Sequence, residues 1–86
     1  KDMNCSMEFC QLTLLPGSTT ENSSMRHKGE EVALVISGSF MLSLNGNFVE
    51  LNEGDSIRIN PMVSHYWVNN SNEKAILVFA VTPPSF

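Results

Sequence analysis

The residues that decide the fold run from His27 to Gly38 and have the sequence HKGEEVALVISG. A histidine and a carboxylate, His27 and Glu31, stand four residues apart and lead into an apolar run that stops at a glycine. A second histidine, His65, lies far downstream after several turns. We expect the chain to fold so that His65 lies beside His27 and Glu31 inside a small barrel.

Length and charge limit what this chain does by itself. Its 86 residues predict one domain, and its net charge of −4 argues against direct nucleic-acid binding, which needs a basic face. No apolar stretch approaches the roughly 20 residues that cross a bilayer, and a signal-peptide pattern is absent, which predicts a cytoplasmic protein without membrane contact. The chain begins at Lys1 and not at a methionine, which suggests a fragment or a processed protein, with residues 1–86 as one domain.

Short apolar runs separated by turn residues predict an all-β fold. Asn45-Gly46 favours a two-residue hairpin, because both residues tolerate the positive φ that such a turn requires. The regular spacing of strands and turns is typical of a sandwich or barrel. The predicted strands cover residues 8–15, 31–37, 40–44, 47–51, 55–60, 64–69 and 75–81.

Two of these strands are apolar on both faces. In Val32–Ile36 and Ile76–Val81 the odd-numbered and the even-numbered residues are all apolar, and they point to opposite faces of the strand. Each strand therefore needs to be covered on two sides. A barrel interior supplies one side, and a second subunit would supply the other. We therefore expect a homodimer.

Alternation along extended segments groups the candidate site residues by face. Met25 shares a face with His27, Glu31 shares one with Val35, and His65 shares one with Trp67 and Asn69. If all three faces point inward, two imidazoles and one carboxylate converge, the set that holds non-haem Fe(II) and also binds Zn, Mn, Ni or Cu. Spacing by itself also allows hydrogen-bonded or surface histidines.

The same residues resemble the two motifs of the cupin superfamily. The first motif is His-X-His, three or four residues, Glu, six residues and Gly, and His27, Glu31 and Gly38 match it. The second motif runs from Gly54 through Pro61 and His65 to Asn69. The resemblance extends over nearly the whole chain and implies a double-stranded β-helix, the jelly-roll or cupin barrel, with one ligand pocket.

One position departs from the family pattern. Met25 stands where four-ligand cupins carry the first histidine, and a thioether is a weak ligand for hard divalent metals. The resemblance thus implies a metal site of His27, Glu31 and His65 for Fe, Zn, Mn or Ni, which is either weak or empty. The expected ligand pocket is lined by Met25, Val35, Trp67 and Asn69.

A narrower resemblance concerns the ends of the chain. The His-X-Gly-Glu-Glu sequence and the closing residues 81–86, VTPPSF, are similar to the C-terminal cupin domain of bacterial regulators that carry a lambda-repressor-like helix-turn-helix at their N-terminus. In those proteins the cupin is taken to sense a small molecule and to help the protein dimerise. This resemblance implies that residues 1–86 are a single cupin domain from the C-terminal part of a longer protein. It also implies DNA binding only through a domain that precedes the chain.

Several residues allow two interpretations from sequence. Trp67 is either a pocket wall or core filler. Arg58 either binds a ligand carboxylate or points to solvent from its strand. The chain shows no Ser-His-Asp arrangement, cysteine nucleophile or phosphate-binding glycine loop, so we predict no catalytic residue.

Three functions remain open at this point. The favoured one is a small-molecule-sensing, dimerising cupin domain of a transcriptional regulator. The second is a metal-dependent enzyme, a dioxygenase or isomerase, which the two histidines and the carboxylate would serve. The third is a dimerisation module whose pocket no longer has a role. The sequence does not identify the ligand or distinguish an activator from a repressor.

Overall fold

The computed structural model describes residues 7–23 and 29–83. In this part of the chain a single 3-10 turn, Glu21–Ser23, accompanies seven β-strands. The strands are β1 (Glu8–Leu14), β2 (Glu30–Ser37), β3 (Ser39–Leu44), β4 (Asn47–Asn52), β5 (Ser56–Ile59), β6 (His65–Val68) and β7 (Ala75–Thr82). They match the seven predicted strands, and the predicted all-β fold is confirmed.

The strands form two antiparallel sheets. The larger sheet has the order β1-β7-β2-β5, and the smaller one has the order β4-β3-β6. Between them lies a core that includes Val35 from the larger sheet and Phe40, Leu42 and Trp67 from the smaller one. The architecture is the predicted jelly-roll barrel of the double-stranded β-helix type.

The predicted hairpin at Asn45-Gly46 joins β3 to β4. Leu44 pairs directly with Asn47, so the loop has two residues. Asn45 has a φ of 49° and Gly46 a φ of 89°, the left-handed values that a type I′ turn requires. The local turn chemistry therefore fixes the register of β3 against β4.

Strand β2 presents a different chemistry on each face. Its residues alternate strictly, with Glu31, Ala33 and Val35 buried. The intervening Val32, Leu34 and Ile36 keep between 39% and 49% of their surface exposed. The inner residues belong to the barrel interior, whereas the outer ones form part of an apolar surface that a single chain leaves open.

Two glycines border β2, and both are needed there. A Cβ on Gly29 would overlap the backbone carbonyl of Thr82 at the end of β7. Gly38 has a φ of 77°, and a Cβ there would lie 2.8 Å from the Lys74 carbonyl oxygen. Both ends of β2 thus pack against the backbone of β7 and its approach, with no room for a side chain.

Candidate functional site

The candidate site joins the two sheets through one buried pair. Glu31 faces inward from β2 in the larger sheet, and His65 faces inward from β6 in the smaller one. His65 Nε2 lies 3.2 Å from Glu31 Oε1, and both side chains are 1–2% exposed. The predicted meeting of Glu31 and His65 is therefore observed.

The His65 ring is oriented from its other nitrogen. Nδ1 lies 3.1 Å from the backbone carbonyl of Val63, which only accepts, so Nδ1 carries a proton and donates it. Nε2 is directed at Glu31 and donates to the carboxylate when the ring is protonated. In the neutral ring Nε2 holds the lone pair that would face a metal ion or a ligand proton.

Burial and hydrogen bonding act against each other on the His65 pKa. Burial is the largest single effect and lowers the pKa, because it disfavours the charged imidazolium. The hydrogen bonds to Glu31 and Val63, together with the Glu31 charge, outweigh it and raise the pKa above its ordinary value of 6.5. The pair therefore holds a proton more tightly than an isolated histidine does.

Strand β1 brings two further polar groups to this end of the barrel. Glu8 and Glu31 both pair with Val81 of β7, so the three lie in one row across the sheet. Cys10 donates a weak hydrogen bond to Glu8, with Sγ and Oε2 separated by 3.4 Å. Burial raises the pKa of the Cys10 thiol, as do Glu8 and the charge of Glu31. Sequence reasoning missed both residues, because their face follows from the β1–β7–β2 order and not from a motif.

Val35 and Trp67 lie in the apolar core below the Glu31–His65 pair. Their exposed fractions are 2% and 1%. The Trp67 indole meets Phe40 edge to face, with ring centroids 5.6 Å apart and an interplanar angle of 74°. Of the two interpretations of Trp67, this packing corresponds to core filler. Their role as pocket lining stays a prediction.

Asn69 uses its amide to hold loops together. Its Nδ2 donates to the carbonyls of Leu14, at 2.9 Å, and Glu73, at 2.8 Å. Its Oδ1 accepts from the backbone N–H and the hydroxyl of Ser71. A side-chain amide makes about four hydrogen bonds, so the Asn69 amide uses all of its donors and acceptors to hold the loops. That Asn69 also lines the pocket stays a prediction.

Two predicted site residues, Met25 and His27, lie outside the described residues. Of the three predicted metal ligands, the structure describes Glu31 and His65, and the metal site of His27, Glu31 and His65 stays a prediction. Among residues 7–23 and 29–83, no three His, Cys, Asp or Glu side chains are close enough to bind one metal ion. The two donors that are seen, a carboxylate oxygen and an imidazole Nε2 at one point of the interior, do suit a divalent transition metal.

Arg58 lies on the outside of the barrel and not in its interior. Its Nη2 and Nε contact Glu30 Oε2, with Nη2 at 2.5 Å. The two side chains are 64% and 41% exposed. Of the two interpretations of Arg58, the structure supports the solvent-facing one.

In the part of the chain that the structure describes, no helix has the length and apolar character needed to span a membrane.

With the fold and the site described, comparison with known proteins identifies the family. The model of the Cupin domain family matches residues 11–81, which is most of the chain. The chain belongs to the cupin family. The predicted resemblance is confirmed, and Glu31, Gly38, His65 and Asn69 all fall within the matched region.

The chain is also similar to particular relatives. It is 35% identical over 74 residues to the HTH-type transcriptional regulator PuuR of Escherichia coli K12, and the match covers 86% of this chain. PuuR of Shigella flexneri matches to the same extent. The chain spans about 40% of the length of these curated relatives. The predicted relation to helix-turn-helix regulators is confirmed.

Solved structures share the fold at lower identity. The cupin domain of an XRE family transcriptional regulator from Enterobacter cloacae superposes with a TM-score of 0.84 at 21% identity, covering 98% of this chain and 88% of that one. A predicted oxalate decarboxylase from Thermotoga maritima reaches 0.78 at 25% identity, covering 88% and 65%. The same barrel thus occurs in a regulator and in a predicted enzyme.

Proposed function

We propose that this chain is the small-molecule-sensing, dimerising cupin domain of a bacterial transcriptional regulator. The observation that carries the proposal is the 35% identity to a helix-turn-helix regulator over 86% of the chain. Residues 1–86 would be one cupin domain of a longer protein. DNA binding would belong to a segment outside this chain, in keeping with the net charge of −4. A DNA-binding regulator of this kind acts in the cytoplasm.

The effector would bind at the inner end of the barrel where Glu31 meets His65. Glu31 supplies a hydrogen-bond acceptor, and His65 supplies a donor or an acceptor according to its protonation. Both side chains are buried, and a hydrogen bond to a ligand is stronger there than in water. The proposed apolar lining is Met25, Val35 and Trp67, with Asn69 next to it. A ligand with one polar end and a small apolar part matches this division.

The proposal extends to a metal ion bound at the same site. His27, Glu31 and His65 would hold it, and it would supply a Lewis-acidic contact for an effector oxygen. Orientation of Nε2 by the Val63 carbonyl is the type of support that metal-binding histidines use. With Met25 in place of a fourth ligand, binding of Fe, Zn, Mn or Ni would be weak.

A matched pair of variants tests the proposed effector site. Glu31→Gln removes the buried carboxylate charge, whereas Glu30→Gln makes the same change on the other face of β2. The longer gene product would be screened by thermal shift against small metabolites and then assayed on DNA from its own upstream region. We expect an effector that raises the melting temperature and changes DNA affinity, with both responses lost in Glu31→Gln and kept in Glu30→Gln.

Two results would contradict the regulator function. One is a coding sequence with no helix-turn-helix pattern before this domain. The other is a longer protein whose DNA affinity is the same in both variants and with every metabolite that shifts its melting temperature. Either result leaves a cupin domain without a regulatory output.

The alternative is a metal-dependent enzyme, a dioxygenase or isomerase. It is supported by the Glu31–His65 donors and by the shared fold of the predicted oxalate decarboxylase. Metal analysis of protein purified without chelator tests this alternative, because the enzyme requires a bound metal whereas the sensor does not. Less than about a tenth of an equivalent of transition metal would exclude the enzyme, and a stoichiometric metal that is lost in His65→Ala would keep both functions open.

A further inference from the structure

Strand β7 has one large inward-facing side chain that stays partly accessible. The odd-numbered residues of β7 face the barrel interior, and Ala75, Leu77 and Val81 among them are fully buried. Phe79 belongs to the same face, yet it is only half-buried against the core. A large apolar side chain in a protein interior is normally packed on every side, so accessible surface on Phe79 indicates an opening beside it.

The neighbouring strand β1 borders the same opening. Cys10 lies directly opposite Phe79 in the pairing of β1 with β7. The inward-facing residues of β1 are only half-buried from Glu8 through Leu12, and the first of them that is buried is Leu14. Two adjacent strands therefore leave the same part of the interior accessible, next to Phe79 and Cys10.

The opening adjoins the Glu31–His65 pair. Glu31 pairs with Val81, and Phe79 pairs with Ala33 in the next row of the same two strands. Phe79 and Glu31 are therefore diagonal neighbours, which lie ~7–8 Å apart and within reach of an aromatic side chain. The Phe79 ring and the polar atoms of the pair thus face the same part of the interior.

The two described apolar residues that the sequence predicts as pocket lining are less accessible than Phe79. Val35 and Trp67 keep 2% and 1% of their surface exposed, and the Trp67 indole packs against Phe40. A ligand reaches Phe79 without displacing a core side chain, whereas contact with Val35 or Trp67 requires the core to open. Phe79 is therefore the accessible apolar wall next to the pair.

We propose that Phe79 is a specificity-determining residue of the effector site, where its ring contacts the apolar part of the effector. The inference rests on the proposed function, since it names a wall of the site in which the sensor would bind its effector. An aromatic ring favours a flat or aromatic group, by stacking or by edge-to-face contact. The ~7–8 Å between Phe79 and Glu31 then defines the chemical class of the effector, a small molecule whose polar end is a few bonds from an aromatic or flat apolar group.

Cys10 provides a chemical probe of this wall. Benzyl methanethiosulfonate transfers a benzylthio group to a thiolate and releases methanesulfinate, and methyl methanethiosulfonate transfers a methylthio group in the same way. Both reagents react with the same thiolate, so the raised pKa of the Cys10 thiol cancels in the ratio of their rates. In a Cys5→Ser background, mass spectrometry of the peptide that contains residue 10 measures both rates. The benzyl-to-methyl ratio reports how well the ring is received beside the thiol.

Position 11 supplies the control on the other face of the same strand. Gln11 is exposed, and Cys10→Ser combined with Gln11→Cys moves the thiol to it. We expect the benzyl-to-methyl ratio at position 10 to be at least about threefold higher than at position 11, because the benzyl ring binds against Phe79 before it reacts. A smaller difference, or a benzyl reagent that is excluded from position 10, overturns the proposal.

Two phenylalanines provide matched variants for the same measurement. Phe79→Leu removes the inward ring, whereas Phe9→Leu removes an outward ring, 71% exposed, that precedes Cys10 in the sequence. We expect Phe79→Leu to remove at least half of the excess ratio at position 10 and Phe9→Leu to keep it. Circular dichroism and melting confirm that the variants fold, and Phe79→Met makes the same test where Phe79→Leu does not. An excess that Phe79→Leu keeps, or that Phe9→Leu loses, overturns the proposal.

The outcome is separable from that of the proposed function. If the rate ratios depend on Phe79 but no metabolite alters the DNA affinity of the longer gene product, the wall stands and the sensing role fails. If a metabolite alters DNA affinity through Glu31 while the rate ratios do not depend on Phe79, the regulator stands and the role of Phe79 fails.

Discussion

Two neighbouring glutamates of β2 form ion pairs in opposite surroundings. Glu30 points outward and contacts Arg58 at 2.5 Å, with side chains 41% and 64% exposed. Glu31 points inward and contacts His65 at 3.2 Å, with side chains 2% and 1% exposed. The residue type and the strand are the same, whereas the face and the partner differ.

The comparison shows that distance is a poor guide to the importance of an ion pair. The shorter contact is in water, where solvent and salt screen the attraction and side-chain entropy opposes it. The longer contact is enclosed by the barrel, where the two groups depend on each other because water cannot replace either partner. The buried pair is therefore suited to a ligand site, while the surface pair mainly neutralises two charges on the outside of the larger sheet.

Removing one carboxylate from each pair should give the largest difference. We expect Glu31→Ala to lower the free energy of unfolding by about 3 kcal/mol, because His65 is left buried opposite a void. Glu30→Ala should cost no more than about 1 kcal/mol. Urea unfolding followed by tryptophan fluorescence measures both. Equal losses would show that the barrel does not isolate the Glu31–His65 pair from water.

Replacing both members of the buried pair gives the energy of their interaction with each other. This coupling energy is distinct from the loss of stability on removing either residue alone. We expect Glu31→Leu and His65→Leu to be destabilising singly, and the double variant to regain about 2 kcal/mol of the summed loss. The corresponding cycle on Glu30 and Arg58 should give a coupling below about 0.5 kcal/mol. Urea unfolding of all six variants gives both coupling energies, and additivity in the buried cycle would argue against a direct interaction.

Protonation of His65 should make stability depend on pH. The folded-state pKa is raised above 6.5, so the folded chain holds this proton more tightly than the unfolded chain does. The extra stability is complete below pH 6.5 and is lost as the pH rises through the folded-state pKa, at about 1.4 kcal/mol for each unit of pKa difference. Melting temperatures from pH 5.5 to 8.5 in chelating buffer should decline accordingly.

The Glu31→Gln variant is the control for this pH dependence. It removes the charge that favours the imidazolium, so the decline assigned to His65 should become smaller or disappear. Glu30→Gln should keep the decline of the parent protein. A parent whose melting temperature rises steadily through the same pH range would contradict the direction assigned to the His65 pKa.

The smallest expected effect is that of salt on the surface pair. Raising NaCl from 0.05 to about 0.5 M should reduce the contribution of Glu30 and Arg58, already below about 0.5 kcal/mol, nearly to zero. The difference in unfolding free energy between the parent and Glu30→Gln therefore closes. The difference between the parent and Glu31→Gln should remain, because counter-ions do not enter the barrel.

Local patterns in the sequence predicted most of the fold. Asn45-Gly46 identified the hairpin, and the period of two along β2 grouped Glu31 with Val35 on one face. These features depend on neighbouring residues and on the period of a strand, so they can be predicted without knowing the partner strands. The resemblance in spacing then placed Glu31 opposite His65.

Contacts between distant residues could not be predicted in the same way. Asn69 binds the Leu14 carbonyl across 55 positions, and Arg58 pairs with Glu30 across 28. Each depends on which strands become neighbours, and the period of a strand does not contain that information. Cys10 and Glu8 were missed for the same reason, since they reach the site only because β1 joins the sheet beside β7.

The close packing of Gly29 against Thr82 has a consequence for how sequences of this barrel can vary. A library of substitutions at position 29 should be depleted of every residue except glycine, since any Cβ meets a backbone carbonyl that cannot move aside. Position 46, with open space around it, should also accept Asn, which tolerates its positive φ. The constraint at position 29 thus fixes how closely β2 approaches the end of β7, and it keeps Glu31, two residues further on, in its place as the sequence varies elsewhere.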